Sequence, residues 1–160
     1  MSERTNPPGV LLAELIGADR VFAGLAPGDK AALLAELGRI GAAACGLPAE
    51  AIRSGLAARE ALGSTGIGAG IAVPHARMAG LAAPFGFFAR LARAIDFSAV
   101  DNVRVDLVFL LLSPVQADSA HLASLAAVAR RLRQPKIAQS IRGAGTAAEI
   151  RRLLVDSASA

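Results

Sequence analysis

Val105-Asp106-Leu107-Val108-Phe109-Leu110-Leu111-Leu112 decides the architecture of this chain. The run is apolar at every position but Asp106 and is closed by Ser113-Pro114. A strand that is apolar on successive residues needs cover on both faces, as a central strand between helical layers has. It is also far too short to span a bilayer, which takes ~20 residues.

The flanking segments agree with a layered α/β fold. Upstream, Phe85, Phe87, Ala89 and Leu91 alternate with Gly86, Phe88 and Arg90, the period of a strand. Downstream, a helix is expected over about Ser119–Leu132, with Leu122, Leu125, Ala129 and Leu132 as its buried stripe. Arg130, Arg131 and Arg133 lie at its end, where cations complement the helix dipole. Gln134-Pro135 breaks that helix, and a shorter helical piece follows. Thr146-Ala147-Ala148-Glu149 is a capping-box pattern that opens a last helix burying Ile150, Leu153 and Leu154. Towards the N-terminus, Leu33, Leu37, Ile40 and Ala44 give Lys30–Cys45 a helical stripe ended by Gly46 and Pro48. A second helix is expected from Pro48 to about Leu62, with Ile52 and Leu56 inward and Gly63 as its stop. The fold class is therefore α/β, a single domain with a small sheet flanked by helices. Residues 1–8 read as a loose tail, 9–156 as the domain and 157–160 as a frayed end.

Composition narrows the function. Apolar residues make up 54% of the 160, enough for one continuous core and too many for a disordered chain. The formal charge of +4 comes almost wholly from arginines scattered along helix faces, and there is no Trp or Tyr to stack on bases. That pattern speaks against nucleic acid and is compatible with an acidic partner or a phosphate group. The first residues carry no signal-peptide apolar run and Cys45 is the single cysteine, so the expectation is a cytoplasmic protein, not an integral membrane one.

The chemistry lies between the second helix and the first apolar strand. Gly63-Ser64-Thr65-Gly66-Ile67-Gly68-Ala69-Gly70 reads as loop, and Ile71-Ala72-Val73-Pro74 as a short strand closed by proline. The glycine spacing matches neither a dinucleotide fingerprint nor a Walker A loop, and the helix–loop–strand order is wrong for both. His75 follows at once. An imidazole with an ordinary pKa near 6.5 is a competent nucleophile at neutral pH, though the residues alone leave a plain loop histidine open. His121 falls at the start of the helix after the central strand, where free amides and the dipole favour a neutral ring and an anionic ligand. The two histidines lack further ligands at suitable spacing, so neither a metal nor another cofactor is expected. No G-x-S-x-G elbow surrounds Ser64 or Thr65, which read as loop hydrogen-bonders aimed at phosphate. Arg59, in the last turn of its helix, either complements the dipole or meets a phosphate or acidic partner.

The string Arg59-Glu60-Ala61-Leu62-Gly63-Ser64-Thr65-Gly66-Ile67-Gly68-Ala69-Gly70-Ile71-Ala72-Val73-Pro74-His75 resembles the signature of fructose/mannitol-type enzyme IIA domains of the bacterial phosphotransferase system, most of all the nitrogen-regulatory kind. Ala94-Ile95-Asp96-Phe97, Val105–Leu111 and His121-Leu122 extend the likeness over most of the chain. The resemblance implies a mixed sheet flanked by helices and a phosphohistidine carrier rather than a free-standing catalyst. It places the phosphoacceptor at His75, on the tele nitrogen, a second active-site histidine at His121 and an active-site arginine at Arg59. The implied donor is a histidine-containing phosphocarrier protein, itself charged from phosphoenolpyruvate through enzyme I. Implied targets are potassium transporters, sensor kinases and similar regulated proteins. Ala69 stands where relatives carry asparagine or glutamate, so a hydrogen bond near the active site is expected to be missing. Ala76 stands in place of the usual glycine and is expected to alter loop conformation or partner fit. No fused transport domain is expected, which favours regulation over two alternatives: a sugar-specific enzyme IIA feeding an enzyme IIB, and a non-phosphorylated interaction module.

Overall fold

Val105–Pro114 forms β6, the strand on which the sheet is assembled. The structure, a computed structural model, describes residues 12–17 and 19–155; the expected tail at 1–8 and end at 157–160 lie outside them. Successive β6 side chains enter different cores. Val108, Leu110 and Leu112 belong to one apolar cluster, and Leu107, Phe109 and Leu111 to the other. The paired strand β5 (Phe85–Ile95) divides likewise, with Phe85, Phe87, Ala89 and Leu91 on one side and Phe88 on the other. Burial on both faces follows from this division, as the apolar run Leu107–Leu112 required.

Among the described residues six strands form one mixed sheet, ordered β1 (Val21–Leu25), β5, β6, β3 (Ile71–Ala72), β2 (Gly66–Gly68), with β4 (His75–Met78) also on β6. The helices α2 (Lys30–Cys45) and α3 (Ala49–Ala61) pack on the first cluster through Leu33, Leu37, Ile52 and Leu56. The second cluster is closed by α1 (Leu12–Leu15), α4 (Asp118–Leu132), α5 (Pro135–Gly143) and α6 (Ala147–Val155). No helix among the described residues is long and apolar enough to cross a membrane.

Local chemistry sets the element ends. Asp29 caps α2 by accepting the Ala32 N–H at 2.8 Å. Gly38 lets α3 approach α2 closely, because a Cβ there would lie 2.8 Å from the Ala49 carbonyl oxygen. Thr146 Oγ1 accepts the Glu149 N–H at 3.1 Å, as the capping pattern required, while the Glu149 carboxylate reaches the Gly145 N–H at 3.4 Å.

The structure corrects several sequence expectations. Residues 66–68 are strand, paired with β3, rather than loop throughout. Val21–Leu25, unforeseen, is a parallel edge strand on β5. Pro48 precedes α3 as its cap residue. Ala44 is exposed at the outer end of α2. The inward stripe of α4 is His121, Ser124, Val128, Arg131 and Leu132, and Leu122 points outward at 67% exposure. Arg131 is turned inward by bonds from Nε and Nη2 to the Leu153 carbonyl, which tie α4 to α6.

Val73-Pro74 separate β3 from β4, but the register on β6 does not break there. Ile71↔Leu107, Ala72↔Val108, His75↔Leu111 and Ala76↔Leu112 share one register along β6. Pro74 lacks an N–H but its carbonyl still accepts the Leu111 N–H at 3.0 Å, so the path continues in step. His75 is thus a strand residue on the β6 edge rather than a loop residue beyond it.

The turn between β2 and β3 carries a local misfit. Ala69 and Gly70 have φ of 57° and 81°, the left-handed backbone of a two-residue hairpin connection. A left-handed alanine costs roughly 1 kcal/mol, and asparagine tolerates that conformation better. Ala69→Asn is therefore expected to raise stability by about 0.5–1 kcal/mol in urea unfolding.

Candidate functional site

The register that continues through Pro74 also creates the site. Val73 N–H points away from β6 and donates to the Thr65 carbonyl at 3.0 Å. In an extended residue the carbonyl points the same way as the N–H, so Val73 offers its oxygen on the side facing away from β6. The His75 ring meets it there, its Nδ1 2.8 Å from Val73 O. On the other side of the ring, Arg59 Nε donates to His75 Nε2 at 3.2 Å. A guanidinium can only donate and a carbonyl can only accept. Together they assign the tautomer: the proton is on Nδ1, and Nε2 carries the lone pair.

Arg59 is held by its place in the helix end. It lies in the last turn of α3, and its Nη1 donates to the Gly63 carbonyl at 2.8 Å. One guanidinium therefore both closes the helix C-terminus and meets the imidazole, joining the two readings its position allowed.

The second histidine stands beside the first. His121 belongs to α4 and its ring centroid is 5.2 Å from that of His75, the planes tilted by 54°. His121 is 7% exposed, and its Nδ1 lies 2.7 Å from Oγ of the fully buried Ser113. Its own N–H is bonded to the Ala117 carbonyl at 2.8 Å. The α4 amides left without an intrahelical partner are those of Asp118, Ser119 and Ala120, and Ala117 supplies no side-chain cap. Arg77, two residues beyond His75 on β4, forms an ion pair with Asp118 at that helix start.

Both rings are kept neutral. Burial lowers the pKa of His75 from 6.5; the Val73 carbonyl opposes this, the Arg59 charge adds to it and the Glu60 carboxylate opposes it. His121 is pushed down to about 4, mainly by burial, then by the repulsion a protonated His75 would exert and by the Arg77 charge. The site thus offers an unprotonated nitrogen beside a fixed guanidinium, a second neutral imidazole and a helix start. Such a set can attack an electrophile at Nε2 and receive an anion there.

Ser64 and Thr65 have other work. Ser64 Oγ donates to the Phe97 carbonyl at 2.9 Å and accepts the Gly66 N–H at 3.0 Å. Thr65, 3% exposed, gives its hydroxyl to the Glu60 carboxylate. Both hydroxyls brace the chain behind His75 instead of facing a phosphate. Ala69 is not beside the histidines: its N–H donates to Asp101 Oδ2 and its carbonyl accepts from Arg142. The register separates residues 71 and 75 by four positions along β6, about 13 Å. Ala76 points inward at 9% exposure, and a Cβ built on Gly55 of α3 would touch its own at 3.4 Å. The extra methyl is housed by the missing side chain of Gly55 and alters neither a loop nor a partner face.

Sequence reasoning missed Val73 and Ser113, which bond the two imidazoles, and the Glu60–Lys30 pair beneath the loop. A backbone carbonyl leaves no residue signal. Ser113 reads as a strand terminator, whereas β6 runs on through Pro114.

Residues 14–157 match the family model described as phosphoenolpyruvate-dependent sugar phosphotransferase system, EIIA 2. The chain belongs to this family. A nitrogen regulatory protein of Bradyrhizobium diazoefficiens is 39% identical over 143 residues, covering 89% of this chain and 94% of that protein. The crystal structure of the nitrogen regulatory protein IIA-Ntr from Neisseria meningitidis superposes with a TM-score of 0.86 at 34% identity, covering 90% of this chain and 99% of that one. The mannitol IIA of Escherichia coli shares the fold at a TM-score of 0.73 and 18% identity, over 87% of this chain and 98% of its own. The family resemblance read from Arg59–His75 therefore holds, and so does the mixed sheet flanked by helices.

The low His121 pKa couples the site to stability. Between pH 6.5 and about 4 the unfolded chain binds a proton at this residue that the folded chain does not. Folding stability is thus expected to fall as pH drops through that window, with up to ~3 kcal/mol from His121. Urea unfolding at a series of pH values checks this, and His121→Asn is expected to give a flatter profile.

Proposed function

We propose that this enzyme IIA is a phosphoryl-carrier regulator of the nitrogen-related phosphotransferase system, working in the cytoplasm. The observation that carries the reading is the Nε2 lone pair of His75, fixed between the Val73 carbonyl and Arg59. In the transfer step, Nε2 attacks the phosphorus carried by a histidine-containing phosphocarrier protein. The phosphorus–nitrogen bond to the carrier breaks as the bond to His75 Nε2 forms. Positive charge developing on the ring is spread towards Nδ1–H, where the Val73 carbonyl accepts the bond. Arg59 turns from the nitrogen to the incoming phosphoryl oxygens, a charge-assisted contact stronger than the one it leaves. His121, with Nδ1 engaged by Ser113, offers Nε2 to the same phosphoryl group.

The product places close to two negative charges on a surface beside Arg59 and the Arg77–Asp118 ion pair. Leu62 and Leu122 are 85% and 67% exposed; Leu62 precedes Gly63, whose carbonyl holds Arg59, and Leu122 follows His121. A partner that docks there reads the charge as a switch. Regulated transporters and sensor kinases are fitting targets, and the likeness to nitrogen regulatory proteins supports regulation over sugar transport.

Incubation with phosphoenolpyruvate, enzyme I and the phosphocarrier is expected to add one acid-labile phosphoryl group by intact mass, absent in His75→Ala. An unlabelled wild-type chain would leave the non-phosphorylated interaction module as the surviving reading. Arg59→Ala is expected to slow the transfer about a hundredfold, the usual cost of removing one preorganised donor from a developing anion. Quenched-flow measurement of the transfer rate checks it.

A further inference from the structure

Beneath the histidine lies an ion pair, its carboxylate buried and its ammonium a quarter exposed, that the transfer step does not use. Glu60 follows Arg59 in α3, yet its side chain turns inward and is 6% exposed. Lys30 Nζ, at the start of α2, lies 2.9 Å from Glu60 Oε1, bonds the Phe97 carbonyl at 3.2 Å and sits 4.3 Å over the Phe97 ring. The same carboxylate accepts the Thr65 N–H at 3.0 Å and the Thr65 hydroxyl. Three donors on one buried carboxylate satisfy it, where an unpaired one would be costly.

The bonds continue in one direction. Thr65, clamped at both its N–H and its hydroxyl, presents its carbonyl to the Val73 N–H at 3.0 Å. Val73, fixed by that bond, presents its own carbonyl to His75 Nδ1 at 2.8 Å. The chain of contacts runs Glu60, Thr65, Val73, His75 without a gap. Adjacent residues of one helical turn thus lie on contact paths to opposite nitrogens of the ring, Arg59 directly at Nε2 and Glu60 through two residues at Nδ1.

We propose that Glu60 is a positioning residue for His75, its Lys30-paired carboxylate holding Thr65 so that Val73 keeps the imidazole proton on Nδ1. Loss of the clamp lets the Thr65–Val73 contact loosen, the Val73 carbonyl drift and the Nε2–H tautomer become populated. A ring protonated at Nε2 has no lone pair there to attack with. This inference rests on the phosphoryl-carrier reading only for its effect on rate; the effect on the tautomer stands apart from it.

The test uses the full-length protein with nitrogen-15-labelled histidine, as wild type, Glu60→Gln, Thr65→Val and Thr65→Ser. Imidazole nitrogen shifts report the His75 tautomer in the unphosphorylated protein, and thermal unfolding reports whether each variant is folded. Phosphorylated carrier protein supplies the phosphoryl group for rate measurements. Wild type is expected to show the Nδ1–H form alone. Glu60→Gln and Thr65→Val are expected to show a second tautomer and transfer about tenfold more slowly, and Thr65→Ser to recover both readouts relative to Thr65→Val. Should Glu60→Gln fail to fold, Thr65→Val against Thr65→Ser decides the matter. Folded variants with an unchanged tautomer would overturn the proposal. A wild-type protein that accepts no phosphoryl group would overturn the carrier reading, while the tautomer comparison still judges Glu60.

Discussion

The hydrogen bond from His75 Nδ1–H to the Val73 carbonyl is short, local and made by a backbone atom, yet it determines what the site can do. A free imidazole exchanges its proton between two nitrogens, and each tautomer offers a different lone pair. Here a pure acceptor on one side and a pure donor on the other remove that choice. Both partners are anchored in regular structure: Val73 through the register that β3 and β4 keep on β6, Arg59 through the last turn of α3. The apolar strand that organises the core is therefore also the ruler that sets the histidine.

Burial gives this arrangement its electrical character. The cluster beneath α3 and the inner face of α4 withdraw both rings from water, which lowers both pKa values and keeps the imidazoles neutral. The positive charges of Arg59 and Arg77 work in the same direction. Neutral rings suit a nucleophile awaiting a phosphoryl group, and they make the unloaded site a poor place for acid to accumulate. The cost appears at low pH, where the unfolded chain takes up protons that the fold refuses.

Much of the fold was legible because burial and periodicity coincide in Val105–Leu112, Phe85–Leu91, Lys30–Cys45 and the segment after Pro48. Where they part, the reading failed. Leu122 lies at a helical spacing that suits the core, but the inner face of α4 passes over the site and buries His121 and Ser124 instead. Val21–Leu25 is an edge strand of only five residues, and its apolar residues alternate in burial without any polar residue to mark the period. His75-Ala76-Arg77-Met78 carries two polar residues directly after a proline, and only pairing to β6 makes it strand.

The site was legible to a similar degree. His75, His121 and Arg59 were identified by position and resemblance, and the fold brings all three together. The glycine-rich loop around Ser64 and Thr65 suggests hydroxyls aimed at phosphate, but partners at Phe97 and Glu60 claim them. Ala69 and Ala76 drew attention as departures; one lies in a distant turn and the other in the core. The measurement that tests the central claim most directly is phosphorus–nitrogen coupling in the phosphorylated protein with nitrogen-15-labelled histidine. The arrangement at Val73 and Arg59 requires coupling to Nε2 of His75; coupling to Nδ1, or to His121, would contradict it.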